Sequence, residues 1–94
     1  MLGLAYYFLD RYAEAVETLD RALALDFGHN TQLMGRPVLA ATYGQLNKLQ
    51  DAERERTAAM RTSPFFDAER FAGQFGTQEA RDHMLEGLKK AGFR

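Results

Sequence analysis

Glu79, His83 and Glu86 fall at i, i+4 and i+7 of one stretch, so a helix there would carry two carboxylates and an imidazole along one face. The chemistry such a face could offer is metal binding. Two carboxylates and one imidazole, with no further histidine or cysteine beside them, make a poor site. A solvated helix face is the favoured reading, and a small metal-dependent enzyme is the remote alternative. The other histidine, His29, lies in a segment expected to be a loop. The one serine, Ser63, stands directly before Pro64 and reads as a helix terminator rather than a nucleophile. Asp10 and Asp26 have no evident partner for acid–base work. The eight glycines are scattered, and none opens a lysine-bearing helix after a strand, as a phosphate-cradling loop requires. The expectation is a non-enzyme with no catalytic residues, no metal and no cofactor.

Bulk properties narrow the classes further. Ninety-four residues suit one compact domain, and a hydrophobic fraction of 46% argues against disorder. The net charge of −1 gives no pull toward a nucleic-acid backbone or an anionic membrane. Arg54, Arg56 and Arg61 share a stretch with Asp51, Glu53 and Glu55, a mixture that reads as a solvated helix face. No cysteine is present, which excludes disulfides and thiolate sites. The longest apolar run, Leu4 to Leu9, is too short to span a bilayer, and no basic segment precedes it as a signal peptide would need. A soluble, cytoplasmic chain is expected.

The elements that must position these residues come from an internal echo. Leu2 and Leu39, Tyr6 and Tyr43, Leu9 and Leu46, Ala15 and Ala52, and Ala22 and Ala59 are identities at a single offset of 37. Gly3 with Ala40, Asp10 with Asn47, Arg11 with Lys48 and Glu14 with Asp51 are like-for-like pairs at that same offset. Each copy reads as two helices. Tyr12, Val16, Leu19 and Leu23 form one apolar stripe in the first. Asp10 and Asn47 fall between the helices, where a short polar side chain suits a turn or an N-cap. Gly28 is expected to stop the first hairpin and Ser63-Pro64 the second. Gly35 and Pro37 suggest an irregular approach, with the next helix becoming regular near Pro37. Small residues at Gly3, Ala40, Ala15 and Ala52 mark close backbone crossings, with larger neighbours interlocking beside them.

At these residues the chain resembles the tetratricopeptide repeat family. Leu2-Gly3 with Tyr6, and Leu39-Ala40 with Tyr43, match its leucine, small residue and tyrosine. Ala15 with Ala22, and Ala52 with Ala59, match its later alanines, and Pro64 its closing proline. The family's tryptophan is absent, Phe27 stands where the first closing proline would be, and Arg56 replaces the apolar residue supplied by Leu19. The spacing exceeds the family's period of about 34, so roughly three extra residues are expected in the link around residues 27–37. The resemblance implies an all-α fold, a short α-solenoid of two helical hairpins. Repeat one would span 1–28, truncated at its start, and repeat two 31–64. Residues 65–94 would form a short helix near 67–74 and a capping helix. In that last helix Thr77 would be the N-cap and Ala80, Met84, Leu88 and Ala91 the inward stripe. Gly92 would take the left-handed C′ position, with Phe93 beyond it against Leu88.

The ending "LEGLKKAGFR" is similar to C-terminal repeat regions of bacterial signalling proteins that carry nucleotide-cyclase or winged-helix domains. That likeness implies a detached or truncated tail module. By the family resemblance, a partner peptide or helix would lie on the concave face, against Leu4, Tyr7, Phe8, Ala41, Gln45 and Lys48. Tyr6 and Leu9 are expected to take the inward contacts of a short first helix of about 12 Å. Tyr7 and Phe8 are then either further core or an exposed patch, and such a patch would suit a homodimer through the N-terminal helix. A protein-binding scaffold and a self-association tail are thus the two function classes, with no nucleic-acid or membrane partner.

Overall fold

The computed structural model describes residues 2–25 and 28–93. The expectations placed on Asp26 and Phe27, and on the His29 side chain, lie outside the described residues. Within them the chain is all-helical: α1 Leu2–Phe8, α2 Tyr12–Leu25, α3 His29–Gln45, α4 Leu49–Thr62, α5 Ala68–Gly73 and α6 Gln78–Lys90. No helix among the described residues is long and apolar enough to cross a membrane.

The first four helices form two hairpins. α2 and α4 each have 14 residues, and both their starts and their ends are 37 positions apart. The turns match as well. Asp10 and Asn47 have φ of 60° and 59°, the left-handed region that short polar side chains tolerate. Around Asp10, Arg11 N–H donates to Tyr6 O and Asp10 N–H to Tyr7 O. Around Asn47, Lys48 N–H donates to Tyr43 O and Asn47 N–H to Gly44 O. Both are Schellman endings that satisfy the last carbonyls of the first helix. Asp10 and Asn47 are therefore turn residues and not N-caps. Lys48 occupies the cap position of α4 and makes no side-chain cap bond.

The link between the hairpins departs from expectation. Gly28, expected to stop the first hairpin, is at φ −60°, ψ 149° the N-cap of α3. Helix α3 is already regular at His29 and carries Pro37 in its interior, so residues 29–37, where an irregular link was expected, are helical. An interior proline removes one helical hydrogen bond and costs about 3 kcal/mol. Packing offsets that cost here. Pro37 is fully buried, and a Cβ on Gly35 would stand 3.0 Å from Leu23 Cδ2. Arg36, between them, donates to Gln32 Oε1 at 3.0 Å and to the buried Glu55 at 2.6 Å. Glu55 thus leaves the solvated face expected of it, because two arginines, Arg36 and Arg54, neutralise it. Arg56, from the same stretch, is half-buried.

The small residues of the two hairpins lie in the packed core. Ala15 and Ala52 are buried, and a Cβ on Gly3 would come within 2.5 Å of Leu19 Cγ. Leu39, Ala40, Tyr43 and Ala59 are buried beside them, while Tyr6 and Ala22 are partly so. Pro64 is exposed. Helix α1 is turned from its expected orientation. Leu2 and Leu9 are 60% and 64% exposed, whereas Tyr7 is at 0%. Gly3 and Tyr7, one helical turn apart, form the buried stripe. Leu2 and Tyr6 stand about 100° away from it, and Leu9 belongs to the turn.

The tail folds as its caps dictate. Asp67 Oδ1 accepts from the backbone N–H of Glu69 and Arg70 at the start of α5, and Thr77 Oγ1 from that of Ala80 at the start of α6. Helix α6 ends in a third Schellman pattern, with Gly92 at φ 97° and Phe93 N–H donating to Leu88 O. Met84, Leu88 and Ala91 are buried and Ala80 partly so.

Candidate functional site: the face of α1 and α3

Helix α6 does not stand at the end of the hairpin stack. Its main contacts are with α3 and α5, and it reaches Tyr7 of α1 and Tyr12 of α2. It lies on the face to which the sequence assigned partner binding.

Glycine sets the approach. A Cβ on Gly87 of α6 would run into the Tyr7 hydroxyl and stand 3.0 Å from the Ala41 Cβ. A Cβ on Gly44 of α3 would stand 2.7 Å from Gly87 O and 2.9 Å from Ala91 N. The two helices therefore cross backbone to backbone, and a side chain at either position would wedge them apart. Glycine inside a helix costs up to about 1 kcal/mol relative to alanine, so a glycine on the apolar side of α6 is itself a sequence signal of close approach.

Polar groups fix the register at the rim. The Tyr7 hydroxyl donates to the His83 carbonyl at 2.7 Å and accepts from Gln45 Nε2 at 3.2 Å. Gln45 Oε1 in turn accepts from Lys90 Nζ at 3.1 Å. Burial, before any charge effect, pushes the Tyr7 phenol from 10.0 up to about 12. Beside it, Tyr12 donates to Asp10 Oδ1 at 2.8 Å. His83 Nε2 lies 2.8 Å from the Tyr12 oxygen and 3.1 Å from Asp10 Oδ1. Since the Tyr12 proton is committed to Asp10, the consistent arrangement is His83 Nε2–H donating to both oxygens. Burial and the Asp10 carboxylate both raise the Tyr12 phenol. Asp10 thus has two partners where the sequence offered none.

The ring of His83 is enclosed by aromatics, with Tyr7 at 4.6 Å and Phe8 at 5.7 Å between centroids. Phe8 in turn packs on Phe75 at 5.2 Å. His83 is therefore part of an interface and not of a solvated helix face. The three residues considered for a metal do not converge: His83 points to Asp10 and Tyr12, Glu86 pairs with Lys90 at 3.0 Å, and Glu79 is exposed. Among the described residues no group of three or more metal-ligating side chains is assembled. Ser63 sits at the C-terminal cap of α4.

Of the six residues expected on a partner-binding face, Tyr7 and Ala41 are fully buried beneath α6, and Leu4, Phe8 and Gln45 are half-buried. Lys48 remains exposed in the α3–α4 turn. Of the two aromatics that motivated an N-terminal homodimer, Tyr7 is buried beneath α6 and Phe8 is half-buried against Phe75 and His83. Comparison with known proteins brings no family model, no curated relative and no solved structure that matches the chain. The residues that hold α6 in place, Asp10, Tyr12, Gly44, His83 and Gly87, went unrecognised as a group in the sequence.

Proposed function

We propose that this chain is a protein-interaction module of tetratricopeptide type, working in the cytoplasm, whose α1–α3 face binds an amphipathic helix. One observation carries the reading: α6, an amphipathic helix, lies on that face and is held there by a glycine crossing and a polar rim. A face shaped for one helix suits a competing helix that presents a small residue at the crossing, apolar residues a turn to either side and a hydrogen-bonding rim. In this reading α6 is the resident occupant, and binding a partner means exchanging one helix for another.

The test is displacement and replacement. Gly87→Val should dislodge α6, because the new side chain collides with Tyr7 and Ala41. In an amide correlation spectrum the α6 resonances should collapse toward coil positions while those of α2, α3 and α4 keep their dispersion. A synthetic peptide of residues 77–93 with the natural sequence should then bind the variant saturably and restore the Tyr7 environment. If the peptide neither binds the folded variant nor refolds an unfolded one, the helix-binding reading fails.

A further inference from the structure

We propose that the surface formed by the α4–α5 loop and α5 joins two copies of this chain about a two-fold axis. Phe65 in that loop is 98% exposed, an extreme for a residue that normally buries most of its ring. Phe65 forms one wall of an apolar groove of about 560 Å³, lined also by Pro64, Phe66, Phe71 and Gln74. Asp67 and Arg70 stand on the same rim. Arg70 has no ion pair among the described residues, and Asp67 uses only Oδ1 to cap α5.

The patch therefore carries a projecting ring and a groove for one, and a free cation and a carboxylate. An isolated peptide would satisfy one member of each pair. A second copy, rotated by a half-turn, satisfies both: each Phe65 enters the other's groove and each Arg70 meets the other's Asp67. The charge complementarity is internal to the patch, which is the property an isologous interface requires. Such a dimer forms by mass action and is therefore concentration-dependent. This surface is separate from the α1–α3 face, and neither proposal depends on the other.

Sedimentation equilibrium from about 10 µM to about 1 mM tests it. The natural chain should shift toward dimer mass across that range, and added salt should weaken the association. Phe65→Ala should raise the dimer Kd by about tenfold or more, with helix content unchanged because the ring touches little of its own chain. Arg70→Glu should also weaken it by setting two carboxylates face to face. Asp67→Asn, which keeps an N-cap side chain while removing the charge, should weaken it by a smaller factor. A monomer at every concentration overturns the proposal, and so does a dimer whose Kd ignores Phe65→Ala.

Discussion

Tyr7 is the residue on which the candidate site turns. Its ring packs under α6, and its hydroxyl links α1 to the His83 carbonyl and to Gln45. Tyr7→Phe keeps the ring and removes both links, including the hydrogen bond to the part-buried His83 carbonyl. The expected cost is about 1–2 kcal/mol at neutral pH, read from urea unfolding. The same hydroxyl makes the fold sensitive to alkali, and the sign follows from its raised pKa. Below the unfolded value of 10.0 both states hold the proton and the contribution is complete. As pH climbs toward about 12 the unfolded chain ionises first, and stability falls. A shift of about two pKa units corresponds to a loss of roughly 2–3 kcal/mol over that window. Tyr12 and Tyr43 are also held protonated, chiefly by burial, so Tyr7→Phe should reduce the alkaline loss without abolishing it. Unfolding curves at neutral and alkaline pH for the two proteins measure the difference. An equal alkaline loss in both would assign the sensitivity to the other tyrosines.

Among the elements, the two hairpin turns share one backbone geometry but differ in what their side chains do. Asn47 is a bystander in the left-handed region, so Asn47→Gly relieves strain and should stabilise the protein by about 0.5 kcal/mol after glycine's own entropy cost. Asp10→Gly relieves the same strain but removes the acceptor shared by Tyr12 and His83, and should be destabilising. Thermal melts of the two variants, moving in opposite directions, would separate turn geometry from α6 anchoring. The turns, the caps at Thr77 and Gly92, and the stripe of Met84 and Leu88 were legible in the sequence because each is written in neighbouring residues. The start of α3 was not. Gly35 and Pro37 carry local signals for a loop, and only the burial of Pro37 and the close approach of Gly35 to Leu23 explain why the helix runs through them. The role of α6 was hidden for a different reason. Periodicity shows which side of a helix is apolar but not which surface receives it, and the Tyr12–His83 contact joins residues 71 positions apart.

The molecule as a whole is closed by its last long helix. Contacts run from α1 to α2, α2 to α3 and α3 to α4, while α1 and α3 meet only lightly. Without α6, the first hairpin would be tied to the second through α2 and little else. Helix α6 supplies the second tie, gripping α3 through Gly44 and the first hairpin through Tyr7, Asp10 and Tyr12. The hairpins and α6 should therefore open as separate units, with α6 releasing before α3 and α4 part. His83→Leu tests this. Leucine keeps apolar bulk among Tyr7 and Phe8 but cannot donate to Tyr12 and Asp10, whose bond to each other survives. The loss of about 1.4 kcal/mol from the docked state corresponds to roughly tenfold faster exchange of the amides that α6 docking protects. Native-state hydrogen exchange should show that acceleration in α6 and α1, with the α4 amides around Ala52 and Ala59 unchanged. Equal acceleration in α4 would mean that the helices open together. An α6 that cannot leave alone cannot be exchanged for a partner's helix, so that result would count against the interaction-module reading.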